Sequence, residues 1–447
     1  MTLPRIVQSQ PTPYLLGLDH LAQIKRDQLQ FYARMRAKHG DVVRLRLGPY
    51  RSHLLFHPAH IEELLTRKWD AFIRFEKLTD VVRQWNGDSV LLAEGDEWRA
   101  RRRKVMPAFQ TKRLPHYGQM AVEQAERLGK SIAARAGTTG VQIDTDASMA
   151  HLTLDIAMRT LFGAPPCPNG NEVERAIQVL SSTAFRESTS PATLPDWLPL
   201  KAKRDKRWAM KVMDDLVSGL VHLRMKRGES GDQDDLLASL IAQHNGIFTD
   251  TRNDVMSLLI AGHETSGALL GWLFACLARE PHWLEKVQTE LGTALEGRMP
   301  SAADIVHLPI LRAVIDETLR LFPPAYTLFL RQASKPVDIL DVSLKRGDLV
   351  QIIPYMTQRD ERFFENPDRF DPTRFLGDQT WPKYAYIPFG AGPRVCIGQN
   401  FGLMETCLVA ATLLSYITPA PMARIPDTHP QFSLRPRDGL NMIWHAV

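Results

Sequence analysis

One cysteine of this chain stands in a glycine-rich loop that leads directly into an apolar helix. The segment YIPFGAGPRVCIGQNFG places Cys396 four residues after Gly392 and two before Gly398. Glycines let a backbone turn tightly and direct its N–H groups at the sulfur, which stabilises a thiolate, a ligand for a soft metal. Phe389 supplies a flat apolar cover, and Arg394 is placed to reach an anionic group on the same ligand. Haem, which is flat, anionic and iron-containing, fits these features better than a buried structural cysteine does.

A second group of polar residues interrupts the most apolar long stretch, residues 255–278. Ala261 and Gly262 have almost no side chain, so a flat ligand can lie against the helix there. Glu264 and Thr265 offer an acid and a hydroxyl side by side, and Thr265 can bond to the carbonyl one turn back. A helical threonine usually only packs or bonds in this way. A buried unpaired carboxylate is costly, however, which favours a polar segment that faces a working cavity.

Two further spacings put paired side chains on one helix face. Trp98 and Arg102 are four residues apart in EGDEWRARRRKVMPAF, which taken alone is a solvated basic helix. Glu317 and Arg320 are three apart in PILRAVIDETLRL, and on a surface such a pair contributes about 0.3–0.5 kcal/mol. A proline-set turn, PDRF, adds Arg369 as a further arginine.

The motifs WxxxR, AGxET, ExxR, PDRF and FxxGxxxCxG occur in this order, and the chain resembles the cytochrome P450 monooxygenases over nearly its whole length. The resemblance implies a mainly α fold with small β-sheets (α+β), in which about a dozen helices surround a buried haem b. It implies that the Cys396 thiolate is the iron ligand and favours O–O cleavage. It also implies that Glu264 and Thr265 relay protons during insertion of one oxygen atom from O2 into a C–H bond.

The resemblance assigns further residues to the cofactor and to the scaffold. Glu317, Arg320 and Arg369 would form a structural ion-pair network whose disruption, if it is buried, would cost roughly 3–5 kcal/mol. The other expected haem contacts are Trp98, Arg102, Arg331 and Arg394 at the propionates, and Phe389, Ala261, Gly262 and Gly398 against the ring.

The elements that must position these residues belong to one unit. The chain has 447 residues, of which 44% are hydrophobic and 23% charged, as is ordinary for a globular protein. We find no linker, repeat or low-complexity tract, so residues 1–447 are expected to form a single catalytic domain. Its subregions are β-rich near 41–57 and 326–355 and helical over 59–322 and 399–417. The first begins as a hairpin of residues 41–47 and 52–56.

The substrate pocket is the part that the sequence determines least. Residues 70–90 look irregular and carry scattered aromatics, which is typical of a packed surface loop or of a lid over a ligand. We expect the pocket to be lined by Phe72, Leu78, Val82, Trp85, Leu258, Ala261, Tyr326, Leu328 and Leu440. Trp98 and Arg394 stand where many soluble bacterial members carry histidine, which resembles the fatty-acid hydroxylase branch. A fatty acid or another extended lipophile is therefore the expected hydrophobic substrate.

Charge and the missing cofactor motifs indicate the partners. The formal net charge is only +5, which does not by itself argue for nucleic acid. The Gly390–Gly392 stretch lacks the context of a dinucleotide fingerprint. Electrons should therefore come from a separate acidic partner, a ferredoxin or flavodoxin-type protein with its NAD(P)H reductase. None of the four cysteines forms a CxxC pair, and the N-terminus shows no long apolar run, so we expect a cytoplasmic bacterial-type protein without a membrane anchor.

Three other functions remain open. A haem-thiolate peroxygenase would use hydrogen peroxide directly, and an isomerase or dehydratase would not oxygenate. Both would normally lack the intact pair of Glu264 and Thr265. A non-enzymatic haem-binding sensor would usually carry an output domain in addition.

Overall fold

A computed structural model describes residues 17–167, 169–190, 193–227 and 235–447. Fifteen α-helices lie within these ranges: α1 (Leu18–Arg26), α2 (Gln28–His39), α3 (Pro58–Glu62), α4 (Glu76–Asn86), α5 (Gly95–Val105), α6 (Leu114–Ala136), α7 (Thr145–Phe162), α8 (Gly170–Ser188), α9 (Lys201–Arg227), α10 (Leu236–Gln243), α11 (Phe248–Arg279), α12 (Pro281–Leu295), α13 (Pro309–Leu321), α14 (Pro354–Thr357) and α15 (Gln399–Leu414). Across the described residues, no helix combines the length and the apolar character needed to cross a membrane.

The strands are short and form four small sheets. They are β1 (Val42–Leu47), β2 (Tyr50–Leu55), β3 (Phe72–Arg74), β4 (Val141–Asp144), β5 (Arg331–Ala333), β6 (Val337–Ile339), β7 (Val342–Leu344), β8 (Leu349–Ile352), β9 (Ile417–Pro419), β10 (Thr428–Pro430), β11 (Leu434–Pro436) and β12 (Asn441–Ala446). The largest sheet has the order β1-β2-β8-β5-β3, with β2 and β8 parallel. A three-stranded sheet has the order β4-β12-β9, and β6-β7 and β10-β11 form two ribbons. The predicted mainly α fold with small sheets and the predicted hairpin of β1 and β2 are both confirmed.

Helix α11 runs through the middle of the core and is buried along most of its length. It stays helical through the polar segment that interrupts its apolar pattern, and Thr265 Oγ1 donates to the carbonyl of Ala261 at 2.9 Å, as predicted. The helix crosses α7 closely at Gly267, where a Cβ would lie 2.9 Å from the Cα of Ala150. A side chain at this position would force the two helices apart.

Residues 70–90 are more regular than predicted. The chain forms β3 and then α4, an amphipathic helix that buries Val81, Val82 and Trp85. Its start has no capping side chain, because the residue before it is Phe75. The absence of a polar cap is the reason that the sequence did not mark the beginning of this helix.

The predicted ion-pair scaffold is present, with one residue exchanged. Glu317 and Arg320 are fully buried and joined by two hydrogen bonds, of 2.7 and 2.8 Å. The prediction that the side chain of Arg369 joins them is wrong, because this side chain is exposed and only its carbonyl accepts from Arg320. The third arginine is Arg374, whose Nε lies 3.5 Å from Glu317 Oε1. The motif PxRF occurs twice in a row, as PDRF and PTRF, and the second copy makes the contact.

We expect Arg374→Ala to destabilise the folded protein by about 1.5–3 kcal/mol. The substitution removes a charged partner of the buried Glu317 and hydrogen bonds to two backbone carbonyls. Arg369→Ala is the matched control and should change stability by less than about 0.5 kcal/mol. Urea unfolding of both holoprotein variants measures the difference, and equal losses would contradict the assignment.

Candidate active site and cofactor cavity

A cavity of about 1030 Å³ opens in front of the cysteine loop. Cys396 and Phe389 line it from the loop, and Ala261, Gly262 and Thr265 line it from α11. The exposed surface of Cys396 faces this cavity, and the rest of the residue is buried in the protein. The two motifs that the sequence singled out therefore face one space.

The cysteine loop is held by its backbone. The N–H of Cys396 donates to the carbonyl of Phe389 at 3.0 Å. Gly392 has φ +71°, and a Cβ there would lie 1.9 Å from the carbonyl oxygen of Leu65, so no other residue fits without a shift. Arg102 Nη2 donates to the carbonyl of Val395 at 2.9 Å, which ties α5 to the loop.

The thiol of Cys396 is buried enough that its pKa is raised, although the N–H of Gly398 and the charge of Arg102 act in the opposite direction. A positively charged metal at the sulfur would overcome this burial and stabilise the thiolate. The donor atom, the loop geometry and the small side chains of Ala261 and Gly262 across the cavity thus fit this cysteine as the ligand of a haem iron.

Four of the arginines that line the cavity, Arg74, Arg102, Arg331 and Arg394, form a cluster near one glutamate. Glu94 pairs with Arg74 at 3.1 Å and with Arg394. Within the described residues, neither Arg102 nor Arg331 forms an ion pair, and the buried Nε of Arg74 has no hydrogen-bond partner. Burial and mutual repulsion lower the pKa of Arg331 to about 10 and that of Arg394 to about 9. This excess of buried positive charge fits a ligand with two carboxylates, such as the propionates of haem.

Trp98 lies at the centre of this arginine cluster. The guanidinium of Arg394 is 4.1 Å from the ring centroid, and that of Arg102 is 5.6 Å away. Trp69 packs against this ring in a T-shaped arrangement, with centroids 5.7 Å apart. Trp98 thus fixes the two guanidinium groups on the cavity wall, where Arg102, Arg331, Arg394 and the tryptophan were predicted to contact propionates.

Glu264 does not line the cavity, unlike its neighbour Thr265. Its carboxylate accepts from Ser433 at 2.6 Å and from Arg435 at 3.2 and 2.9 Å. Burial alone would raise the pKa of Glu264, but the charge of Arg435 and these hydrogen bonds lower it to about 2. The predicted acid is therefore held as an anion behind the helix, and its role in proton delivery stays a prediction.

The predicted substrate residues divide into two groups. Leu78, Val82, Leu258, Ala261, Tyr326 and Leu328 line the cavity. The predictions for Phe72, Trp85 and Leu440 are wrong, because all three pack elsewhere. Phe72 pairs with Ala333 across β3 and β5, and Trp85 belongs to the helical core around α4. Leu440 lies next to β12 with its N–H donating to Asp144.

Sequence reasoning missed several residues that line the cavity or pair with its arginines. Arg74 and Glu94 gave no motif, because a single charge in a strand and one at a helix start are common. The cavity also extends to α1 and β1, where Leu21, Leu45 and Leu47 form part of its wall. These residues follow ordinary core patterns, and only tertiary packing reveals them.

Comparison with known proteins gives one family throughout. The family model described as Cytochrome P450 matches residues 8–440. The chain is 32% identical to cyclooctatin synthase of Streptomyces melanosporofaciens, over 93% of this chain and 91% of that protein. It is 30% identical to cyclooctat-9-en-7-ol 5-monooxygenase of the same organism, over 89% and 86%, and 30% identical to pentalenene oxygenase of Streptomyces avermitilis, over 89% and 88%.

We expect Arg74→Gln and Arg394→Gln each to speed haem loss by about tenfold or more. Each removes a charged donor from the cavity, and a hydrogen bond between charged groups contributes about 1.5–3 kcal/mol. Arg103→Gln, on the exposed face of α5, is the matched control and should release haem at the rate of the unsubstituted protein. Transfer of haem to an excess of an apo-globin measures the rates. Unchanged rates for both cavity variants would contradict the propionate assignment.

Proposed function

The chain belongs to the cytochrome P450 family, and on that premise we propose that it hydroxylates a compact terpenoid with electrons from a ferredoxin-type protein. It is an oxidoreductase that binds haem b and incorporates oxygen from O2. The family match over residues 8–440 supports the further proposal that 1–447 is one catalytic domain.

The shared cavity is the observation that carries this proposal. Cys396 stands on one wall, and Thr265 with the bare stretch of Ala261 and Gly262 stands on another. When bound, haem with a thiolate ligand supplies the oxygen activation that these side chains cannot perform. The loop holds the sulfur of Cys396 at the cavity wall, where the N–H of Gly398 donates to it.

Thr265 and Glu264 are proposed to move protons into the cavity. The hydroxyl of Thr265 donates its proton to the carbonyl of Ala261, so the lone pairs of Oγ1 can accept a hydrogen bond from a donor in the cavity. Glu264 is ionised and bound to Arg435, so it must take up a proton before it can leave this partner and act as an acid. The acid and the alcohol thus work in sequence rather than as an adjacent pair on one surface.

A neutral, compact substrate suits the cavity better than a fatty acid. The relatives are named for cyclooctat-9-en-7-ol and pentalenene, compounds of the terpenoid class. The wall away from the arginine cluster carries Leu78, Val82 and Leu258. Two further cations of the cavity lining each donate a hydrogen bond to the backbone, Lys77 to the carbonyl of Ser190 and Arg46 to that of Gly48. The named substrates of the relatives thus favour a terpenoid, and the fatty-acid prediction has less support.

Docking of the electron donor is proposed for the exposed side of α5 and the turn after it. Arg101 is not available there, because Asp250 and Asp254 bind it, and Arg99 pairs with Asp96. The remaining exposed cations in this segment are Arg103 and Lys112. The segment lies beside the cysteine loop, since Phe109 approaches Gly398 to within 3.7 Å of a Cβ placed there. An acidic ferredoxin would meet this surface with complementary charge.

We expect the reduced protein with carbon monoxide to show the red-shifted absorption band of a thiolate-ligated haem, and Cys396→Ser to lack it. Polycyclic terpenoid hydrocarbons and alcohols should then shift the haem spectrum at lower concentrations than straight-chain fatty acids of equal carbon number. Tighter binding of the fatty acids would contradict the substrate class, and absence of the carbon-monoxide band would contradict the whole assignment.

We expect the rate of reduction by an acidic ferredoxin to fall as ionic strength rises from about 0.05 to 0.5 M, because salt screens charges at this surface. Arg103→Glu with Lys112→Glu should slow reduction at low salt and weaken its salt dependence. Lys345→Glu with Arg346→Glu, in the turn after β7, has the same change of charge and serves as the control. Reduction rates independent of salt would rule out electrostatic docking.

A further inference from the structure

Two buried polar atoms face each other behind α11 without a hydrogen bond. His263 is fully buried, and its Nδ1 lies 3.0 Å from the carbonyl of Leu259, so Nδ1 must carry a proton. Its other nitrogen, Nε2, has no partner within the described residues and lies 3.6 Å from Glu174 Oε2, which is also buried and unpartnered there. A second proton on the imidazole would turn these two orphaned atoms into an ion pair.

The charges around the imidazole also favour a proton on Nε2 of His263. Arg435 from β11 is bound by three carboxylates, those of Glu264 at 2.9 Å, Glu174 at 3.2 Å and Asp146 at 2.8 Å. With a neutral histidine, one guanidinium faces three acids. Burial lowers the pKa of His263, but hydrogen bonding and the charges of Glu174 and Glu264 raise it overall above its usual value. These groups come from α7, α8, α11 and β11, which are the elements packed around the imidazole.

The three groups are close enough to exchange a proton. One ligand atom each of Glu174, His263 and Glu264 lies within 4.8 Å of the others, a distance that one water can bridge. The same trio has the donor types of a metal site. A divalent cation, however, would stand beside the guanidinium of Arg435, which already bonds both carboxylates. A proton meets the charge deficit without this repulsion.

We propose that Glu174 and His263 form a buried proton store that loads Glu264 from the side of the helix opposite the cavity. In one transfer the N–H bond at His263 Nε2 breaks and an O–H bond forms on Glu264. Glu174, whose side chain is 12% exposed, takes a proton from solvent and returns it to Nε2. The net result is one proton moved from water to Glu264, with no oxidation or reduction.

Protonation would also release Glu264. As a neutral acid it no longer attracts Arg435, which keeps its bonds to Asp146 and Glu174. The acid can then turn towards Thr265 and the cavity. This inference rests on the proposed proton relay of Glu264 and Thr265, and it adds the source from which that relay is supplied.

The test compares His263→Asn with the unsubstituted holoprotein. Asparagine keeps a donor for the carbonyl of Leu259 but cannot titrate. His244→Asn is the matched control, because His244 is a buried histidine paired with Asp254 at 2.9 Å outside this cluster. Electrons are supplied by a surrogate ferredoxin, its reductase and NADPH. The fractions of the consumed O2 that are released as hydrogen peroxide and as water are measured between pH 6 and 9. We expect His263→Asn to raise the peroxide share several-fold, while His244→Asn follows the unsubstituted protein.

A second readout does not depend on turnover. Because the pKa of His263 is raised on folding, its stabilising effect is complete below the unfolded value of about 6.5 and is lost as pH rises through the folded value. The difference in melting temperature between His263→Asn and the unsubstituted holoprotein should therefore be largest near pH 5–6 and shrink at higher pH. A difference that is constant between pH 5 and 9 would overturn the protonated pair.

Thr265→Ala separates this inference from the relay on which it rests. If Thr265→Ala raises the peroxide share and His263→Asn does not, the relay stands and the store is overturned. If Thr265→Ala leaves the share unchanged, the relay itself fails, and the store fails with it. Should His263→Asn not retain haem, Glu174→Gln removes the other half of the pair, and the same two outcomes apply to it.

Discussion

The close crossing of α11 and α7 at Gly267 is the constraint on which the working parts depend. The two backbones meet there with no room for a side chain, because a Cβ would lie 2.9 Å from Ala150. This contact fixes the rotation of α11 about its axis. Successive helical residues point about 100° apart, so Thr265 faces the cavity and Glu264 faces the charged cluster behind it. One helix turn thereby separates the cavity from the buried charged cluster around Arg435.

The two charged regions on either side of this helix have opposite surpluses. The arginines around Glu94 carry more positive charge than the carboxylate balances, and the acids around Arg435 carry more negative charge than the guanidinium balances. Unbalanced buried charge is costly unless something neutralises it. A dianionic cofactor answers the first surplus, and a proton on His263 answers the second. Each excess of charge is thus neutralised by a species that the reaction requires at that place, the cofactor on one side and a proton on the other.

The sequence was most informative where chemistry depends on local spacing. Cys396 and its glycines could be placed because a tight loop with a close backbone contact leaves few residue choices. Arg374 was missed because two copies of the motif PxRF follow each other, and only tertiary packing selects the second. Glu264 was expected on the cavity wall because the sequence does not show which face of a buried helix points towards the cavity. Trp85 was expected in the pocket because an aromatic residue reads alike whether it faces a ligand or the core.

The close backbone contact between Gly392 and the carbonyl of Leu65 has a consequence for how the protein folds during synthesis. This contact joins a segment near the start of the described chain to one near its end. During synthesis the segment of Leu65 must therefore wait, without its partner, until the segment of Gly392 has emerged. Contacts between such distant segments form slowly. The cofactor pocket thus cannot close before the segment of Gly392 has been made, so cofactor capture follows the synthesis of that segment.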